Sequence, residues 1–124
     1  MCRLAAYIGA KIPLENIVTG PSHSLLFQSK DVSESKVATN GDGFGIAWYG
    51  SAVEPGLYRD CLPTWSDKYL ISLCKVVQAP LFIAHVRAST TGATMRTNCH
   101  PFVYQNWSFV HNGRLVSFKK CKGA

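Results

Sequence analysis

No aspartate or glutamate occurs after Asp67 in this 124-residue sequence. Residues 1–67 hold seven acids against five Lys/Arg, whereas residues 68–124 hold eight Lys/Arg, so the net charge of +6 arises wholly in the second half. Four of those bases (Arg114, Lys119, Lys120, Lys122) crowd the final stretch "RLVSFKKCKGA". A basic end of this kind is normally solvated. No nucleic-acid-binding motif accompanies it, so the charge does not make nucleic acid a partner. Also missing is any apolar run near the ~18 residues that would suggest a membrane span. The opening lacks the basic-then-apolar pattern of a cleavable signal. A cytoplasmic protein without a membrane partner is expected. The five cysteines (Cys2, Cys61, Cys74, Cys99, Cys121) form an odd set with no C-x-x-C pair, which argues against a disulfide framework and a zinc ribbon. Repeats, low-complexity tracts and internal linkers are absent as well. What remains is a 47% hydrophobic chain, long enough to bury one core and short enough to be one domain.

The apolar residues fall in short, dense runs. "CRLAAYIG", "FGIAWYG", "LFIAHVRA" and "WSFVHNG" are of strand length, rich in aromatic or branched residues and closed by glycine or polar residues. Near-continuous apolar runs predict buried strands in a sheet covered on both faces. In "TWSDKYLISLCKVVQAP", Thr64 and Asp67 have capping-box spacing, Leu70, Leu73, Cys74 and Val77 recur at i, i+3, i+4 and i+7, and Pro80 supplies a stop. This predicts a helix with Cys74 in the core. Residues 13–36 read as loop with one short helix.

Four stretches carry candidate chemistry. In "MCRLAAYIGA", removal of Met1 would leave Cys2 with a thiol and a free α-amine on one residue. The amine titrates near ~7.7–8.0 and the thiol near ~8.5, so nucleophile and base would coincide. The alternative is a small apolar residue at a strand start. In "NGDGFGIAW", Gly41, Gly43 and Gly45 predict a tight turn before a strand. That turn either shapes a site or is an ordinary hairpin. The G-x-G-x-G spacing is not a dinucleotide fingerprint. In "AHVRASTTGA", a strand delivers Arg87 at its end, where a guanidinium can grip a carboxylate through two parallel hydrogen bonds, with Thr90 and Thr91 nearby in sequence. An arginine reaching from a strand end into water is the other reading. "WSFVHNGRL" ends a strand at His111, Asn112 and Gly113. Asn-Gly is a turn signal, and it can also aim a side-chain amide and a backbone N–H at a developing oxyanion. His85 and His111 read as core residues, and the adjacent Cys99 and His100 lack the further ligands that zinc requires.

Taken in order, "MC", "NGDGFGI", "HVRASTTG", "NCHPF" and "HNG" resemble a class II glutamine amidotransferase domain of the N-terminal nucleophile hydrolase superfamily. The nearest likeness is to stand-alone amidotransferases and γ-glutamyl amidohydrolases, and it spans residues 2–113. The resemblance implies Cys2 as nucleophile, Arg87 as the ligand of the glutamine carboxylate, Thr90, Thr91 and His100 as pocket residues, and Asn112 with Gly113 as the oxyanion hole. Thr91 stands where related synthases often have histidine. It implies attack of Cys2 on the glutamine side-chain amide, loss of ammonia, and hydrolysis of a γ-glutamyl thioester, with no cofactor.

The resemblance further implies an α+β fold, the N-terminal part of a four-layer αββα sandwich. Residues 1–124 are then expected to form a single amidotransferase domain incomplete at its C-terminal end. The acid that binds the glutamine α-amine in the family follows the "HNG", where this sequence has none. The implied partners are glutamine or a γ-glutamyl amide, an ammonia-accepting protein, and a second copy of the chain where an apolar face lacks its cover. Two alternatives stand beside this reading: hydrolysis of a larger γ-glutamyl amide, and an inactive fragment serving as a partner-binding subunit.

Overall fold

Alternation along the strands gives one sheet two chemically different faces. The computed structural model describes residues 3–20, 24–25, 43–60, 68–87 and 99–111. Strands β1 (Arg3–Pro13), β2 (Gly43–Tyr49), β3 (Gly56–Asp60) and β4 (Gln78–Arg87) form an antiparallel sheet in the order β1-β4-β2-β3. The ladder aligns Ala5, Ala84, Ile46 and Tyr58 in one row and Tyr7, Phe82 and Trp48 in another. Side chains at alternate positions share a face, and these rows form the core face. They pack with Leu14 and Val18, and with helix α1 (Lys68–Val76), which contributes Leu70 and Cys74.

The helix buries the positions its spacing predicts. Leu70 and Cys74 are fully buried, and Leu73 and Val77 pack against the same cluster. The capping-box pair Thr64 and Asp67 lies outside the described residues. Pro80, however, is not the stop. The helix ends at Val76, and a hydrogen bond from Leu14 N–H to the Val77 carbonyl (3.0 Å) ties its end to the 3-10 turn Leu14–Asn16. Pro80 instead lies inside β4 and acts on its neighbour. Leu81 pairs with Ile8 and Ala79 with Ile12, so Gly9, Ala10 and Lys11 of β1 stand opposite the proline alone. Proline has no N–H to give the ladder, and the opposing strand bulges there. The Tyr7 hydroxyl closes the bulge by donating to the Ala10 carbonyl (2.6 Å).

The second face departs from the expectation of strands covered on both sides. Along β1, exposure alternates, with Leu4 and Ile8 open to solvent. Toward the middle of the sheet, Ala47 and His85 are buried on this face. A hairpin of β5 (Phe102–Tyr104) and β6 (Trp107–Phe109) is pinned to it by Tyr49, whose hydroxyl donates to the Asn106 carbonyl (2.8 Å) and shares a hydrogen bond with Ser108 Oγ (2.9 Å). Phe102 pairs with Phe109 and Tyr104 with Trp107, and all four aromatics are exposed. The stretch "WSFVHNG" thus yields a short, half-exposed strand where a buried one was expected. β3 and β5 were not predicted. The succession of helix, sheet and hairpin is the α+β arrangement expected. Among the described residues no helix is long and apolar enough to cross a membrane.

Candidate active site

Antiparallel pairing brings chain segments far apart in sequence to one end of the sheet. The first residue of β1, Arg3, pairs with Val86, the penultimate residue of β4. The last residue of β4, Arg87, pairs with Gly43, the first residue of β2. Against this end of β2 lies the segment Cys99–Pro101. A Cβ placed on Gly43 would sit 2.5 Å from Cys99 Sγ, and one placed on Gly45 would collide with the His100 carbonyl. Gly43 and Gly45 therefore lie within β2, not in a turn before it. They are two apart, so both open the same face of the strand to the backbone of another segment.

β3 holds that segment from the side. Arg59, paired with Gly45, donates from Nη1 to the Cys99 carbonyl (3.3 Å), and the buried Cys99 thiol donates to the Asp60 carbonyl (3.4 Å). The His100 ring then meets three others. Its centroid is 4.4 Å from that of His85, 4.5 Å from Phe102 and 6.4 Å from His111. His85 sits on β4 opposite Gly45, two residues before Arg87. Where a larger residue on β2 would fill this space, glycine leaves room for the two imidazoles to pack.

Of the residues expected to do chemistry, His100 is the one whose side chain is described, and it is part of this cluster. Arg87 ends β4, its backbone paired as given above. Cys2, Thr90, Thr91, Asn112 and Gly113 lie outside the described residues. Their neighbours in the chain are in place: Arg3 follows Cys2, Arg87 precedes the threonines, and His111 precedes Asn112. His85 is buried, as expected of a core histidine. Sequence reasoning missed Arg59 and Asp60, which carry no motif. It also missed the placement of His85 against His100. The two-residue spacing of Gly43 and Gly45, read with strand periodicity, was the signal that could have revealed the seat. Among the described residues, no three His, Cys, Asp or Glu side chains come together as donors for a metal ion.

The profile of the class-II glutamine amidotransferases matches residues 15–123. The chain belongs to that family. This class-II amidotransferase chain is 39% identical over 98% of its length to "Probable glutamine amidotransferase DUG3" of Saccharomyces cerevisiae, of which it covers 37%. It is 29% identical over 91% of its length to "Gamma-glutamyl-hercynylcysteine sulfoxide hydrolase" of Mycobacterium tuberculosis, covering 49% of that protein. Among solved structures, a glutamine aminotransferase class-II domain protein from Silicibacter pomeroyi superposes with a TM-score of 0.64 at 33% identity, over 96% of this chain and 39% of that one. The amidotransferase chain thus spans half or less of the length of these relatives.

Proposed function

We propose that this chain carries a glutamine-hydrolysing centre in which Cys2, freed of Met1, is the nucleophile. Its own α-amine takes the thiol proton, and the thiolate attacks the side-chain amide carbon of glutamine. Asn112 and Gly113 donate to the oxyanion. Arg87 holds the substrate carboxylate through its planar fork, and Thr90 and Thr91 line the same pocket. The tetrahedral intermediate collapses, the C–N bond breaks, and ammonia leaves with a proton returned from the N-terminal ammonium. Water then cleaves the γ-glutamyl thioester to glutamate and restores the thiol. An ammonia-accepting partner consumes the other product, and the reaction belongs to the cytoplasm.

One observation carries this reading. The register sets Arg3 beside Val86 and Arg87 beside Gly43 at one end of the four-stranded sheet, and the His100 ring, 4.4 Å from His85 and 6.4 Å from His111, joins the approach to Asn112 to that end. A second reading, a γ-glutamyl amide larger than glutamine as substrate, is favoured by the name of the mycobacterial relative.

The test is glutamate release by the Met1-processed chain from glutamine and from γ-glutamyl peptides, together with labelling by an electrophilic glutamine analogue. The expected label is on Cys2 alone among the five cysteines, and Cys2→Ala abolishes both label and turnover. Equal labelling of Cys121, or turnover surviving in Cys2→Ala, overturns the assignment. Preference for a γ-glutamyl peptide over glutamine selects the second reading.

A further inference from the structure

We infer that His100 is a positioning residue: its ring is a spacer that sets the strand end carrying Arg87 against the segment that leads into Asn112. The inference rests on the proposed function, because it assigns His100 its role within that site. Three observations carry it. First, the His100 backbone is seated on β2 through the bare surface of Gly45, and its carbonyl occupies the space a Cβ would need. The segment is held from β3 as well, by Arg59 on the Cys99 carbonyl at 3.3 Å. His100 is therefore fixed at its root.

Second, the ring projects to His85 at 4.4 Å with the planes 43° apart. His85 is buried and lies two residues before Arg87 on the same strand. Third, the same ring lies 6.4 Å from His111, the residue that immediately precedes Asn112, and 4.5 Å from Phe102 at the start of the hairpin whose second strand leads to His111. One imidazole thus touches or faces both structural routes to the site. Tilted ring pairs a few ångströms apart are held by packing and quadrupole, contributions that a phenyl ring also makes. A spacer that fixes donors acts on catalysis through geometry, and a displacement of about 1 Å is enough to cost on the order of 10²-fold in rate.

The experiment compares His100→Ala and His100→Phe with the unaltered chain, all as the full Met1-processed protein. Steady-state glutamate release is followed on glutamine, or on the γ-glutamyl peptide if that is the better substrate. Alanine removes the spacer, and a fall in kcat of about tenfold to a hundredfold is expected, with KM changed by less than about threefold. Phenylalanine keeps the ring, and recovery of most of the lost kcat is expected. If the phenylalanine variant melts at the wild-type temperature and is as impaired as the alanine variant, or if both chiefly raise KM, His100 contacts substrate through its nitrogens and the positioning role is overturned. The inference also has a readout without turnover. In a 15N spectrum, the Asn112 side-chain amide and Gly113 N–H signals should move in His100→Ala and stay near their wild-type positions in His100→Phe. Unmoved signals in the alanine variant overturn it. Absence of turnover and of Cys2 labelling in the wild type would instead count against the proposed function, leaving the spectra to decide on His100.

Discussion

The carbonyl oxygen of His100 takes the place of a side chain on Gly45. This one relationship explains why a strand otherwise made of Phe44, Ile46, Ala47, Trp48 and Tyr49 interrupts itself with glycine. The core face of β2 is filled by large side chains. The opposite face is left bare at Gly43 and Gly45 so that a second backbone can lie directly on it.

Gly45→Ala should therefore be costly in two ways. The added methyl meets backbone, which cannot rotate aside, and overpacking of this kind costs about 1–3 kcal/mol. Lower thermal stability and reduced turnover are both expected, read by a melting curve and a glutamate-release assay. Gly50→Ala is the matched control, since a Cβ there meets nothing within 4 Å, and it should leave both readings close to wild type.

Arg59→Ala removes the donor to the Cys99 carbonyl. A hydrogen bond from a charged, partly exposed group is worth about 1 kcal/mol. A loss of that size in denaturant unfolding is expected, with a larger proportional loss of turnover because the seat of His100 is loosened. Unchanged turnover in a destabilised variant would show that the clamp serves only the fold.

Alkylation should separate the thiols. Cys74 is buried on the core side of the helix, and Cys99 is buried against β2 and β3. Under native conditions both should resist a small alkylating reagent until the protein is unfolded. Peptide mapping by mass at increasing denaturant gives the order. Early modification of Cys99 would mean that the Cys99–Pro101 segment lifts from the sheet.

Arg87→Lys keeps the charge and loses the planar fork. If Arg87 holds the substrate carboxylate, KM for glutamine should rise about tenfold or more while the melting temperature stays close to wild type, since a bidentate charge-assisted pair contributes more than a single contact. A fall in stability matched by the fall in activity would assign the arginine to the fold instead.

The core face offers a contrast that needs no assumption about activity. Phe82→Ala removes a fully buried ring that packs on Tyr7 at 5.4 Å between centroids. About 3–5 kcal/mol of stability should go with it. Tyr69→Ala, on the exposed side of the same helix that buries Leu70, should change stability by no more than about 0.5 kcal/mol.

What could be read in the sequence was what local periodicity encodes. The apolar positions of α1 and the existence of β1, β2 and β4 follow from side-chain pattern alone. Proline is a local signal, so Pro80 reads in sequence as a helix stop, yet its effect falls on Gly9–Lys11 across the sheet, a consequence of pairing that no window along the chain contains. Gly43 and Gly45 read as a turn for the same reason: glycine signals freedom of the backbone, while here it signals room for a distant one. Arg59 and Asp60 act chiefly through a hydrogen-bond donor and a main-chain carbonyl, so their identity in sequence carries almost no trace of the role. His85 was legible as buried and illegible as the partner of His100, since the contact joins strand to loop.

The pairing of β1 with β4 also sets a timetable. Arg3 meets Val86 and Pro13 meets Gln78, and among the described residues β4 is the only ladder partner that β1 has. During synthesis at about 5–20 residues per second, the N-terminal strand exists for roughly several seconds before the strand that will receive it has been made. Until then the ladder positions that β4 will fill along β1 lack that partner. The pairing of Arg3 with Val86 beside Arg87 is a long-range contact, the kind that slows folding.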